Sequence, residues 1–306
     1  MIPERPTLQA LAIFVEVAKH RTMTAAAEEA GITQPAISAQ VKALERYYGT
    51  RLLERDGRGS TPTAAGRLVA AYAARVLALT DELGRGVADL EGLEAGELIV
   101  GASSTIGEQL LPAYLGRFHA AHPRVRLSVR IGNSAEISAR VAARELDFAI
   151  VGEEPHDGDL FAEPVLEDQI VTFVAPDNPL LNETPIAPLA LCGRQFVMRE
   201  VGSATRALAE RCLRETSCGP GHLIELGSNE AVKRAVQAGL GIGVLSTYTI
   251  EAERLAGLLV DLPVVGWTCG RSFWLIRRRD RVLTRAEEAF LALVVDPGAE
   301  DARVKR

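Results

Sequence analysis

Two groups of polar residues in this sequence have types and spacings suited to holding a ligand. In the first, Gln34, Ser38 and Lys42, with Ala39 beside them, fall on one side of a segment whose other side is Ile37, Val41 and Leu44. Amide, hydroxyl and ammonium groups near the start of a protruding helix are what the base edges and phosphates of a DNA major groove require. In the second, Ser103-Ser104-Thr105 and Gly202-Ser203-Ala204-Thr205 each precede a helical pattern. Such turns offer hydroxyls, free N–H groups and the positive end of a helix dipole, which together suit a carboxylate, phosphate or sulfate. Arg199 and Arg206 flank the second turn and can pair with that anion or act as ion-pair partners inside the fold; the turns also read as ordinary N-caps.

Bond-breaking chemistry finds less support. Gly239-Leu240-Gly241-Ile242-Gly243 follows a helical pattern and precedes a strand-like one, the reverse of the dinucleotide fingerprint, and no P-loop lysine is present. His119 and His122 share a helix end without a third ligand, and the serines lack a G-x-S-x-G setting. No metal site, cofactor or catalytic residue is therefore assigned. Cys192, Cys212, Cys218 and Cys269 have no C-x-x-C spacing and are expected to be reduced thiols, with a redox role for Cys212 and Cys218 left open.

The first group needs two short crossing helices to present it, and residues 22–47 read as a helix-turn-helix. Thr24 caps the first helix, whose Ala26, Ala27 and Ala30 let a second helix cross closely, and Gly31 gives the chain its exit. Thr33 caps the second helix, Pro35 sits in its first turn where a missing N–H is harmless, and Ile37, Val41 and Leu44 form its buried stripe. An ordinary helical hairpin shares this short pattern. Ahead of it, Leu8, Leu11, Phe14, Val15 and Ala18 make a supporting helix, and after it residues 52–63 read as a wing: a strand-like start, a Gly-rich tip carrying Arg55 and Arg58, and a return that caps the next helix.

Residues 64–91 contain no proline and read as one linker helix about 40 Å long. Val69, Tyr72, Val76, Leu79, Leu83, Gly86 and Leu90 alternate in steps of three and four, the seam of a two-stranded coiled coil, so a dimer is expected; a helix laid on its own body is the alternative. Net charge supports pairing of heads. The whole chain carries −6, but residues 1–65 hold eight basic against seven acidic side chains, a net of +1. So weak a positive charge gives each head little non-specific affinity, and specific binding then needs two or more heads on one site.

Residues 92–97 read as a hinge, after which short apolar runs alternate with helices in two corresponding series, the signature of an α/β domain. An offset of 95 pairs Gly132, Asn133, Ile137, Val141 and Ala143 with Gly227, Ser228, Val232, Val236 and Ala238; an offset of 100 pairs Ser103 and Thr105 with Ser203 and Thr205. Two similar lobes follow, lobe I over about 98–167 and 267–295 and lobe II over about 168–266. The strand-like run 271–276 and the helix 284–295 return to the first lobe, and two lobes joined by two crossings enclose a cleft. The tail 297–306 is polar and expected to be disordered. At 306 residues and 47% hydrophobic content the chain is long enough for two to three domains. Its N-terminus lacks a secretory pattern and no apolar run is long enough to span a bilayer, so the cytoplasm is the expected compartment.

Residues 8–66, from Leu8-Gln9-Ala10-Leu11-Ala12-Ile13-Phe14 through Thr33-Gln34-Pro35-Ala36-Ile37-Ser38 and Leu52-Leu53-Glu54-Arg55 to Thr61-Pro62-Thr63-Ala64-Ala65-Gly66, resemble the DNA-binding domain of LysR-type transcriptional regulators, departing at Ala39. Residues 98–295 resemble the effector domain of the same family. The resemblance implies an N-terminal all-α winged helix-turn-helix (residues 1–66), a linker and dimerisation helix (64–91), and a C-terminal α/β two-lobe domain of periplasmic-binding-protein type (92–306). It implies DNA contacts by Thr24, Thr33, Gln34, Pro35, Ser38, Lys42, Arg55 and Arg58, and effector contacts by Ser103, Ser104, Thr105, Arg199, Ser203 and Thr205. Expected partners are double-stranded DNA, a small anionic metabolite, further copies of the chain in a dimer or a tetramer built as a dimer of dimers, and RNA polymerase. Gly101-Ala102-Ser103-Ser104-Thr105-Ile106-Gly107 and Leu226-Gly227-Ser228-Asn229-Glu230 look like members controlling carbon dioxide fixation or sulfur assimilation. The rival expectation is a solute-binding or enzymatic α/β protein carrying an N-terminal helical domain.

Overall fold

The computed structural model describes residues 5–20, 22–56, 59–89, 96–215 and 221–295, in two compact units, Met1–Ala88 and Asp89–Arg306. Arg58 at the wing tip, Leu90 of the seam, most of the hinge, Cys218 and the tail 297–306 lie outside the described residues.

The first unit contains α1 (Leu8–Lys19), α2 (Met23–Glu29), α3 (Gln34–Tyr48), the antiparallel pair β1 (Leu53–Asp56) and β2 (Gly59–Pro62), and α4 (Ala64–Asp89). Its core gathers Phe14, Val17, Ala26, Ala27, Ile37, Val41, Leu44 and Leu52, all buried. Ala26 is fully buried, as close packing of α2 demands. Gly31 takes φ +65°, a backbone that side chains resist, and the chain turns there into α3. The cap of α2 differs from expectation. Thr22, held in an extended backbone conformation, accepts the Ala25 N–H at 3.2 Å, so the helix starts one residue before Thr24, which sits exposed in its first turn.

Helix α4 is 26 residues long, about 39 Å at 1.5 Å per residue. Ala65, Val69, Ala70 and Ala73 on one side pack into the head core, whereas Leu68, Tyr72, Val76, Leu79, Leu83 and Val87 are exposed. Val69 therefore supports the head instead of opening the seam, because its side chain lies on the core face one residue round from Leu68.

The second unit is one continuous sheet with helices on both faces, in the strand order β4-β3-β5-β11-β6-β9-β7-β8. Lobe I contributes β3 (Gly96–Ser103), β4 (Val125–Gly132) and β5 (Phe148–Val151), with a π-helical turn Ile106–Leu110, α5 (Leu111–Ala121) and α6 (Ser134–Ala142). Lobe II contributes β7 (Gln195–Arg199), α7 (Ala204–Glu215), β8 (His222–Leu226), α8 (Asn229–Gln237), β9 (Ile242–Ser246), α9 (Thr247–Leu255) and the short β10 (Val260–Asp261) on the edge of β6. Two long strands cross between the lobes: β6 (Leu160–Val174) and β11 (Gly270–Arg278), the latter followed by α10 (Arg285–Val295). β6 pairs with β11 over its first half and with β9 over its second. Phe118, Phe148, Phe273 and Phe290 fill lobe I on one face of the sheet; Phe196, Leu191 and Leu213 fill lobe II.

β6 changes partners between Gln169 and Ile170. The first half holds Pro164, which lies opposite Trp274 where the register slips between Phe273 and Trp274, a bulge being one of the few places a sheet tolerates proline. The cysteines also depart from expectation. Cys212 on α7 and Cys269 at the entry to β11 form a disulfide with Cα atoms 6.2 Å apart, and Cys192 is disulfide-bonded as well. Their spacing in sequence hides this, because α7 and the start of β11 meet only through the lobe II core. No described helix is long and apolar enough to cross a membrane.

Candidate functional site

On the head, Thr33 is the N-cap of α3 but its side chain makes no capping hydrogen bond, which leaves the hydroxyl open to a partner. Thr24, Thr33, Gln34, Pro35, Lys42 and Arg55 are exposed and Ser38 is half-buried. At the far end of α3 a shallow depression is lined by Lys42, Arg46, Thr50 and Arg51. Glu45 in the same depression is engaged: its Oε1 accepts the Leu52 N–H at 2.9 Å and ties α3 to the root of the wing. Three cations thus face outward there, a surface fit for phosphates. Arg46 and Arg51 were missed in sequence because no helical or turn pattern singles them out.

In the second unit the six expected residues come together. Ser103, Ser104, Thr105, Arg199, Ser203 and Thr205 line one tight cavity of about 10 Å3, room for a single water-sized group, joined by Asn133, Ser134, Ala204 and Arg271. All six are buried, at 8% exposure or less. β3 and β7 end at this cavity, and the turns after them open helices, so two helix starts converge on it. Asn133 is held by a capping box on α6, its Oδ1 accepting the Glu136 N–H at 3.0 Å.

Arg199 is the centre of a network that links the lobes. Its Nε donates to Glu200 Oε2 at 2.8 Å and its Nη2 to Glu200 Oε1 at 2.9 Å. Nη2 also reaches Ser104 Oγ at 3.2 Å, and Nη1 donates to Asn229 Oδ1 at 2.5 Å. Asn229 Nδ2 donates in turn to Glu108 Oε2 at 3.1 Å, and Asn133 Nδ2 to Glu200 Oε1 at 3.3 Å. The Ala135 N–H to Gly202 carbonyl bond, 3.2 Å, completes four contacts across the cleft. Burial pushes the Glu200 carboxyl up, but the hydrogen bonds from Arg199 outweigh it and hold the group below its ordinary 4.5. Arg206 takes the structural alternative: it pairs with Glu210 and Glu225 and donates to the Arg199 carbonyl, and those carboxylates raise its pKa. Among the described residues the hydroxyls of Ser103, Thr105, Ser203 and Thr205 have no hydrogen-bond partner in the protein.

Asn229, Glu200 and Arg271 are cleft residues that sequence reasoning did not select. Asn229 and Glu200 stand beside motifs that were noticed, whereas Arg271 lies in a strand with no local signature.

Known proteins match both units. The model of the lysR-family bacterial regulatory helix-turn-helix protein matches residues 8–67, and that of the LysR substrate binding domain matches residues 91–297. The transcriptional activator CmpR of Synechocystis is 33% identical over 285 residues, 93% of each chain. The transcriptional regulator CbbR of Sinorhizobium medicae is 38% identical over 284 residues, 90% of this chain and 88% of that one. Among solved structures, the regulatory domain of Synechocystis CcmR in complex with 2-PG is 29% identical with a TM-score of 0.62, covering 67% of this chain and 98% of that chain.

Proposed function

Because this chain belongs to the LysR family of bacterial transcriptional regulators, we propose that it binds a specific DNA duplex through α3 and the wing and that a small anionic metabolite in the two-lobe cleft alters that complex. The carrying observation is the cavity: two serine- and threonine-bearing helix starts, separated by about a hundred residues in sequence, close around one space with four hydroxyls free of protein partners. A buried polar pocket of this kind needs a polar guest. The CcmR domain solved with 2-PG, that is 2-phosphoglycolate, supports a phosphorylated carboxylate as the metabolite class, and relatives that are regulators of RuBisCO operons support carbon dioxide fixation as the process controlled.

The exposed stripe from Leu68 to Val87 on α4 supports a dimer, and two such dimers a tetramer. RNA polymerase is the partner through which a bound regulator would act, in the cytoplasm, with no chemical step and no cofactor beyond the effector. The test is selection of fragments from a genomic pool in graded salt. A specific site should be preferred at least about a thousandfold over random DNA, with affinity falling steeply as salt rises, and 2-phosphoglycolate should change that affinity. A protein that selects no sequence is not the regulator described.

A further inference from the structure

We propose that Arg271, on the crossing strand β11, is the residue that meets the oxyanion group of the effector directly. This deepens the reading of the cleft as an anion site and rests on it. The contrast with Arg199 carries the argument. Arg199 is buried in the same cavity, but its Nε, Nη1 and Nη2 are engaged by Glu200, Ser104 and Asn229, which leaves at most one of its five N–H bonds for a guest.

Arg271 is held differently. Its side chain is 7% exposed. Nε donates to Asp168 Oδ2 at 2.8 Å, and the other Asp168 oxygen accepts the Ser246 hydroxyl at 2.7 Å, so this buried carboxylate fixes the arginine by one edge. Nη2 lies 2.8 Å from the Asp168 oxygen that Nε already uses and completes the ion pair without a hydrogen bond of its own, so Asp168 takes the Nε–Nη2 edge and Nη1 lies beyond it. The guanidinium carbon sits 4.8 Å over the Phe273 ring, which supports its plane from one side. Burial pulls the guanidinium pKa down against the opposing charge of Asp168; Arg199 lowers it further, while Glu153 acts with Asp168.

Gly152 leaves the space that this arrangement needs. A Cβ at that position would stand 2.7 Å from Arg271 Nη1 and 3.3 Å from the Ala204 Cβ. The open edge of the guanidinium is thereby set beside the first residue of α7, a helix of 12 residues whose first-turn N–H groups have no partner within the helix. A guanidinium that gives one edge to a carboxylate keeps donors on its far side for a second acceptor. Here it points to a carboxylate or phosphate that takes one oxygen to Arg271 and another to the start of α7, a planar two-point grip that arginine makes and lysine does not.

The experiment titrates full-length protein with 2-phosphoglycolate, inorganic phosphate and glycolate, following binding by calorimetry. The variants are Arg271→Met combined with Asp168→Asn, which leaves no lone buried carboxylate, and Arg271→Lys and Arg199→Lys. The double variant is expected to keep its circular dichroism while 2-phosphoglycolate binding weakens at least about tenfold. Inorganic phosphate weakens in parallel if the phosphoryl end meets Arg271, and glycolate if the carboxylate end does. Arg271→Lys should weaken binding more than Arg199→Lys. Wild-type affinity for all three probes in the double variant overturns the assignment, and should that variant not fold, wild-type affinity in Arg271→Lys overturns it. If the wild-type protein binds none of the three, the anion reading of the cleft itself has failed and this proposal falls with it.

Discussion

At the scale of single residues, the cleft separates two arginines that composition alone would treat alike. Arg199 is bound into the protein by a bidentate pair with Glu200 and by side chains from both lobes, and that pairing has a measurable signature in acid. The folded Glu200 carboxyl lies below its ordinary 4.5, so the unfolded chain binds the proton more readily, and the stabilisation is complete above about pH 4.5 and lost as pH falls through the lower folded value. Glu200→Gln should therefore flatten the acid limb of thermal stability below pH 4.5 relative to wild type. Asp280 and Glu230, whose pKa values are also lowered, contribute equally to both proteins and cancel in the difference. Superimposable acid limbs would mean that the Arg199–Glu200 pair gives the native state nothing. Arg199 was legible in the sequence because it stands four residues before a hydroxyl-rich turn. Arg271 was not, since its Asp168 partner is 103 positions away and its strand offers no motif.

At the scale of elements, α4 has to serve two faces at once. Ala65, Val69, Ala70 and Ala73 pack into the head core, while Leu68, Tyr72, Val76, Leu79, Leu83 and Val87 remain outside. The exposed residues follow steps of four, four, three, four and four, close enough to a coiled-coil repeat for one stripe to cover another. Leu79→Asp with Leu83→Asp places two carboxylates in that stripe, at several kcal/mol each if it is buried in a partner. Sedimentation should then show the wild-type oligomer dispersed to smaller species, with DNA affinity falling alongside; an unchanged sedimentation profile would place the joining surface elsewhere. The helical period also made α1, α3 and α4 readable in advance, because these segments obey one burial rule along their length. Where two rules compete the reading failed. The first half of β6 carries Pro164 and several charges because it runs between lobes, and the start of α2 was shifted from Thr22 to Thr24 because two threonines can each cap. The Cys212–Cys269 pair depends on packing between elements 57 residues apart, which no local pattern records.

At the scale of the whole molecule, the two binding functions are written in different units of the chain. The residues assigned to DNA lie within Met1–Ala88 and the cavity residues within Asp89–Arg306, so no side chain serves both. Any response of the DNA complex to the ligand is then a coupling free energy between separate sites, and linkage requires it to be reciprocal. A coupling of about 1 to 3 kcal/mol corresponds to roughly a 5- to 150-fold change in affinity. If 2-phosphoglycolate changes the affinity for a selected DNA fragment by some factor, saturation with that fragment must change the affinity for 2-phosphoglycolate by the same factor. Calorimetric titration of the ligand into free and DNA-saturated protein, set beside DNA titrations with and without ligand, measures both arms. Equal factors are expected with wild-type protein, and in the Arg271→Met, Asp168→Asn variant the ligand should leave DNA affinity unchanged at concentrations that saturate only the wild type. A ligand that occupies the cleft of the full-length protein and leaves DNA affinity unchanged has no differential free energy between the free and DNA-bound states, and the control of DNA binding would then have to enter through another site.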